Sequence, residues 1–494
     1  MKPTRTRALT LLAAILLPLA SLRAASDDLS WMRGANYVPS YARNDIQQWM
    51  EYDSAVIDRE LGYAEWLKLN TVRVFLNVAV FEKQPEKFLA DFENFLTLAD
   101  KHGIKVMPVI FDSCLDPQEV DVNNYKGKNW IPSPGFPRLG DKDWPTMEKF
   151  IVAVVGKHRD DKRVVMWDVM NEPESSGFNW RNPEGKDKIV EFVRRALKRV
   201  KDEKPVQPLG IGWAYPNNIE IAADLSDVLI MHCYADPKGL EHNLGKLKEM
   251  GKLLNKPVII NEFLARPRQR AEKALPVISR EKVGWCFWEL MIGSTQFAEE
   301  KTRYPGIPFQ GNLYPDGTCF LPSELAAILN PEGFTGDAAE IARKAGFVPS
   351  AKVPKEFLEK PNAIEVLKPF TDESVTFCPR WTKRQGGGQF GKSLWFTADR
   401  GDTASKEVAG TTIELVFKHG PDCGIAAVTI DGKPAAIPEI DTYSKTVEWN
   451  VKTMVAKNLS SEKHTVVVTV TGRKAPAASQ CLVQLVNIAG SASN

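Results

Sequence analysis

The sequence predicts an α/β chain, a (β/α)8 TIM barrel followed by a C-terminal all-β sandwich domain. Three observations predict it. Between Trp31 and about Asn330, eight short apolar segments alternate with helical stretches. No Gly-x-Gly-x-x-Gly turn follows the first strand and no Walker-type loop occurs, so an open nucleotide-binding sheet fits poorly. Beyond that point the helical period gives way to closely spaced β-branched runs.

The eight strands are expected at RGANYV (33–38), TVRVFL (71–76), KVMPVIF (105–111), VVMWDVM (164–170), PLGIGW (208–213), DVLIMHC (227–233), PVIINEF (257–263) and GWCFWEL (284–290). They are apolar on both faces, as strands are when helices cover a parallel sheet. Helical segments lie between them, such as RELGYAEWLKL (59–69), FENFLTLADKHG (92–103) and KIVEFVRRALKRVKDE (188–203). In the last, apolar residues at 189, 192, 193, 197 and 200 form one helix face.

Residues 331–365 mix Pro, Gly, Ala and charge and read as a linker with short helical pieces. Strands are then expected at 393–398, 410–420, 425–433, 445–451, 464–472 and 481–490, with Asp431-Gly432 as a hairpin signal. The domain reading is therefore a barrel over 26–330, the linker over 331–365 and a sandwich over 366–494.

Residues 1–25 have the three parts of a cleavable secretory signal peptide: basic MKPTRTR, apolar ALTLLAAILLPLA, and small residues in SLRAAS. The apolar part is too short to span a bilayer, and no later stretch reads as a membrane helix. A secreted or periplasmic protein is expected, with a lipid or uncleaved anchor as the alternative. The formal net charge is +2, and Lys2, Arg5, Arg7 and Arg23 all fall in that leader, so the chain lacks the basic excess of a nucleic-acid binder. Seven scattered cysteines form no disulfide framework, though one bridge among Cys378, Cys423 and Cys481 fits their clustering.

In a barrel of this kind the site lies at the C-terminal strand ends. Arg73 lies in the second strand, Asp112 ends the third, and Asn171 and Glu172 follow the fourth. His232 and Tyr234 flank the end of the sixth, Glu262 ends the seventh, and Trp288 and Glu289 end the eighth. Two carboxylates facing each other across a cleft suit glycosidic-bond cleavage, one as proton donor and one as an ionised nucleophile. Arg73 is the cation that would keep one of them charged. Each residue has a structural reading as well: Asn-Glu-Pro as a helix start, Glu262 as a satisfied strand end, His232 and Trp288 as core. Their joint placement on the proper strands favours a shared site. The long loop 112–144 adds Trp130, and Trp180 follows the fourth strand; either ring could floor a sugar or anchor its loop.

These motifs, NTVRVF, WDVMNEP, MHCY, VIINEF and GWCFWEL, resemble those of the clan A glycoside hydrolases, and glycoside hydrolase family 5 (cellulase-like) in particular, over about residues 30–320. The resemblance implies Glu172 as acid/base and Glu262 as nucleophile of a retaining reaction. It implies that Arg73 and Tyr234 orient Glu262, Asn171 bonds the sugar 2-hydroxyl, His232 supports the pair and Trp288 floors the glycone subsite. Three departures concern the substrate: Phe263-Leu264-Ala265 follows Glu262 without the usual glycine, Asp112 stands where a histidine is often seen, and Glu289 adds a third carboxylate.

The expected activity is hydrolysis of a poly- or oligosaccharide by double displacement, by a β-glycanase or β-glycosidase acting on β-glucan, β-mannan or a related glycan. Exo-action on another glycan, furanosides included, and a non-catalytic glycan-binding barrel are the alternatives. The six histidines (102, 158, 232, 242, 419 and 464) form no His-x-His or His-Glu-x-x-His pair, so no metal and no cofactor is expected. The partner is a carbohydrate. The C-terminal domain resembles accessory sandwiches of glycan-degrading enzymes, with WTKRQGGGQFGKSLWF (381–396) able to touch sugar or to prop the barrel.

Overall fold

The computed structural model describes residues 28–114, 120–266, 268–298, 307–355, 358, 370–372, 375–378, 381–384 and 394–491. The leader and the glycine-rich turn at 385–393 lie outside the described residues.

Eight parallel strands close into a barrel in sequence order: β1 (Arg33–Asn36), β2 (Thr71–Phe75), β3 (Lys105–Asp112), β4 (Trp167–Asn171), β5 (Leu209–Trp213), β6 (Leu229–His232), β7 (Val258–Glu262) and β8 (Gly284–Phe287). The expected α/β class holds. Closure is made by β1 pairing with both β2 and β8, with Ala35 opposite Val72 and Phe287. β4 is shorter than the apolar run suggests, because Val164 makes only an isolated bridge to Val106.

The covering helices follow the predicted periods and carry their own start signals. The helix Ser54–Trp66 opens on Asp53, whose side chain accepts from the amides of Ala55 and Val56. Pro183–Asp202 opens on Asn182 with Pro183 in its first turn, and buries Ile189, Phe192, Val193, Leu197 and Val200 against the sheet. The barrel core runs past the expected linker boundary: the helix Ala338–Lys344 contributes Ala342, and Phe347 follows it into the same cluster.

The C-terminal region forms two antiparallel sheets. One has six strands in the order β16 (Lys433–Asp441), β15 (Ile425–Ile430), β18 (Lys463–Val470), β13 (Thr403–Ala409), β10 (Val375–Cys378) and β9 (Phe370–Asp372). The other has five, β11 (Thr382–Arg384), β12 (Leu394–Thr397), β19 (Val483–Ser491), β14 (Thr412–His419) and β17 (Glu448–Ala456). Their inward residues, among them Trp381, Leu415, Phe417, Val466 and Val468, make a separate core, as a sandwich requires. Cys423 and Cys481 are free thiols, so neither forms the bridge their spacing allowed. No helix among the described residues is long and apolar enough to cross a membrane.

Candidate active site

Arg73 is the hub of the barrel mouth. Its side chain is fully buried mid-strand in β2, where an unpaired guanidinium would be very costly, and every arm has a partner. Nε donates to Asp168 Oδ2 at 2.9 Å, Nη1 to Glu262 Oε1 at 2.5 Å and Asn36 Oδ1 at 2.7 Å, and Nη2 to Asn171 Oδ1 at 2.7 Å. Asp168 in turn accepts from Asn261 Nδ2 at 2.8 Å and from the Gly212 amide at 3.0 Å. Glycine at 212 is needed for this approach, since a Cβ there would lie 2.7 Å from His232 Nε2 and 2.9 Å from Asp168 Oδ2.

Glu262 ends β7 and accepts, besides Arg73, from the Tyr234 hydroxyl at 2.8 Å. Glu172 ends the run from β4 in a left-handed backbone, φ +36°, before one short turn at Pro173–Ser175. That conformation is strained for a residue with a side chain. The Glu172 amide is pinned there by the Gly212 carbonyl at 2.7 Å. His232 Nδ1 lies between the two carboxyls, 2.7 Å from Glu172 Oε1 and 3.3 Å from Glu262 Oε2. Ligand-type atoms of Glu172, His232 and Glu262 all fall within 4.8 Å of one another. They could hold a metal ion, but the Arg73 charge on Glu262 opposes a cation there.

Asp112 is buried at the end of β3 and orients Asn171, accepting from its Nδ2 at 3.1 Å, from Trp130 Nε1 at 2.8 Å and from the Cys114 amide at 2.8 Å. Burial pushes its carboxyl up, to about 7, against those hydrogen bonds. Trp288 and Trp130 are 5% and 3% exposed, so neither is an open platform. They meet edge to face at 6.0 Å, and Phe75 and Phe297 complete the cluster. Trp180 is half-buried against Trp213 with Lys186 over its face. Glu289 turns away into the loop after β8, where it accepts from the Thr295 hydroxyl at 2.8 Å; burial pushes it up to about 8. Of the expected residues, Arg73, Asp112, Asn171, Glu172, His232, Tyr234 and Glu262 are thus joined in one network. Trp130 and Trp288 wall it, and Trp180 and Glu289 stand apart.

Five participants were not foreseen. Asn36 and Asp168 read as strand interior, although a polar residue in an apolar strand was a usable signal, because buried charge must be paired. Cys114 places Sγ 3.1 Å from Glu172 Oε2. Glu174 accepts from the Tyr215 amide at 3.0 Å and so fixes the start of the loop after β5. Tyr215 itself is 60% exposed at the mouth.

A closed barrel carrying two acids at the ends of β4 and β7, with an arginine on one and a histidine between them, defines a glycoside hydrolase of the barrel class. The family model for Cellulase (glycosyl hydrolase family 5) matches residues 61–294, a span that covers most of the barrel. No curated protein matches the chain. Among solved structures, the chain is similar to GH5_18 from Streptomyces cattleya in complex with GlcNAc, at 16% identity over 66% of this chain and 83% of that one, TM-score 0.45. It is also similar to an exo-beta-1,4-mannosidase from Opitutaceae bacterium strain TAV5, at 16% identity over 65% and 63%, TM-score 0.45. A glycoside hydrolase family 5 mannosidase from Rhizomucor miehei is similar at 13% identity over 61% and 92%, TM-score 0.42.

Proposed function

We propose that the protein is an exported, retaining β-glycosidase that removes single sugars from the non-reducing ends of β-linked oligosaccharides. The observation that carries the chain-end reading is the closed glycone side of the mouth. A leaving group protonated by Glu172 must lie toward β4 and β5, so the glycone points toward β8, β1 and β2. That side is filled by the cluster of Trp288, Trp130, Phe75 and Phe297. Loop contacts brace it. Arg43, after β1, donates to Asn129 Oδ1 and to the Ser294 carbonyl; Asn44 Nδ2 donates to the Tyr125 and Lys128 carbonyls; and the Trp130 amide donates to Gln296 Oε1. The opposite side presents the exposed Tyr215.

Spacing supports retention. An oxygen of Glu172 and one of Glu262 approach within 4.8 Å, too near to seat a water between sugar and base as inversion needs, roughly 6.5–9.5 Å. The division of roles follows from who holds each carboxyl. Burial pushes Glu262 up, while the charges of His232 and Arg73 and the Tyr234 hydroxyl oppose it. For Glu172 burial raises the carboxyl, whereas a protonated His232, with Cys114 and Ser175, would drag it to about 2 and reverse the roles. Burial pushes His232 down, and the Glu262 and Glu172 carboxyls push it up by more, yet the surroundings of Nε2 oppose carrying that proton. Nε2 is buried with no hydrogen-bond partner and packs against Gly212, so an imidazolium would bury an unpaired N–H. With the neutral Nδ1–H tautomer, burial and the Glu262 charge both favour a proton on Glu172, and the three groups titrate as one unit.

In the first step Glu262 attacks the anomeric carbon while Glu172 gives its proton to the departing oxygen. In the second, Glu172 takes a proton from water as the water oxygen bonds to the anomeric carbon and the bond to Glu262 breaks, leaving Glu262 ionised and Glu172 protonated. Asn171, set by Arg73 and Asp112, presents its amide to the sugar. The leader supports export. The test of chain-end action is product sizing on reducing-end-labelled β-linked oligosaccharides. Products shortened by one residue at a time are expected; early release of mid-length products contradicts the reading.

A further inference from the structure

Cys114 sits two residues beyond β3, between the ends of β3 and β4. Its amide is held by Asp112 Oδ1 at 2.8 Å, and the preceding Ser113 is clasped by Ser176 Oγ at 2.9 Å to its carbonyl and 2.7 Å to its hydroxyl. The two loops that carry Cys114 and Glu172 are therefore tied together, and the thiol is aimed rather than merely packed. Its Sγ stands 3.1 Å from Glu172 Oε2, the oxygen that His232 does not hold. Burial, with the Glu172 and Asp112 carboxylates beside it, pushes the thiol well up, so it stays protonated and can only donate to an ionised neighbour.

We propose that Cys114 is a positioning residue for the acid/base: its thiol donates to Oε2 of Glu172, fixes the carboxyl plane together with His232 on Oε1, and stabilises the carboxylate formed as the proton leaves. The inference rests on Glu172 being the acid/base. During glycosyl transfer the bond electrons go to the leaving oxygen, which gains the Glu172 proton, while a new bond forms from Glu262 to the anomeric carbon. The thiol keeps its proton throughout. Its hydrogen bond strengthens as negative charge develops on Glu172, so it favours the transition state over the ground state. A cysteine that served only as a small apolar filler would have no such dependence on charge.

The test compares Cys114→Ala and Cys114→Ser on aryl β-glycosides of graded leaving-group ability. Cys114→Ala is expected to lose about 5- to 10-fold in kcat/KM on poor leaving groups and less than about 2-fold on dinitrophenyl glycosides, the loss of one hydrogen bond to a charged group. Without the donor, Glu172 becomes a weaker acid, so the alkaline limb of kcat/KM moves to higher pH by roughly half a unit or more. Cys114→Ser, which keeps a donor, is expected to restore both. An equal loss on all leaving groups, or an unmoved alkaline limb, overturns the proposal. Glu172→Ala separates the two readings. If it shows leaving-group dependence and azide rescue while Cys114→Ala shows neither limb shift nor dependence, only the thiol proposal falls. If Glu172→Ala shows neither effect, both fall.

Discussion

Replacing Arg73 by methionine removes the charge on which the site is built while keeping most of the side-chain volume. The guanidinium meets Glu262 at 2.5 Å and Asp168 at 2.9 Å, and all three side chains are at least nine-tenths buried. Two buried carboxylates then lose their counter-charge, a change that typically costs about 3–5 kcal/mol of stability. For catalysis, charges about 4 Å apart at an effective dielectric of about 20 interact by roughly 4 kcal/mol. If that attraction is lost from an ionised nucleophile, the rate should fall about 10³-fold. Arg73 lowers the Glu262 pKa, so its loss raises it and moves the acidic limb of kcat/KM to higher pH. Arg73→Lys keeps a charge but cannot reach Asp168, Glu262, Asn36 and Asn171 together, and should fall between. The assay is kcat/KM on an activated aryl β-glycoside across pH, on samples whose fold is checked by circular dichroism. A folded Arg73→Met within about tenfold of the parent, with an unmoved acidic limb, would refute the reasoning.

Three further outcomes are expected. Glu172→Ala should lose far more rate on poor than on good leaving groups and recover with azide, read as glycosyl azide product; uniform loss without rescue contradicts the acid/base role. Glu289 is held neutral by burial, so its folded pKa of about 8 lies above its unfolded one. The stability this gives is full below about pH 4.5 and fades as pH rises toward 8; Glu289→Gln should therefore flatten the fall in Tm over that window, and an unchanged slope speaks against the assignment. Trp130→Ala should cost about 3–5 kcal/mol in denaturant unfolding and also loosen Asp112 and Asn171, lowering kcat/KM even on small glycosides. A loss of stability without loss of rate would separate the wall from the site.

What was legible in the sequence follows the rigidity of the elements. Strand ends in a parallel barrel are fixed by alternation and length, so Arg73, Glu172, Tyr234 and Glu262 could be placed on one mouth. Asp168 shows the limit, since its apolar strand context hid that a charge there must meet another; the partner, Arg73, was in view two strands away. Loops carry no period, and their packing depends on contacts between distant segments. Trp130 offered sugar-platform or anchor equally in the sequence, whereas Phe75, Trp288 and its bond to Asp112 make it a wall. Cys114 was invisible for the same reason. In the sandwich, Lys433–Asp441 lies outside the expected strands although Asp431-Gly432 signals a hairpin there; as β16 it sits at a sheet edge, where Pro434 and Pro438 are tolerated.

The central claim is that Glu262, held by Arg73 and Tyr234, attacks the anomeric carbon. Inactivation with a 2-deoxy-2-fluoro β-glycoside followed by peptide mapping tests it most directly. One sugar bound covalently to Glu262, in the peptide carrying VIINEF, is expected, with no label in Arg73→Met over the same time. Label on Glu172 or any other residue, or turnover with inversion, would contradict it.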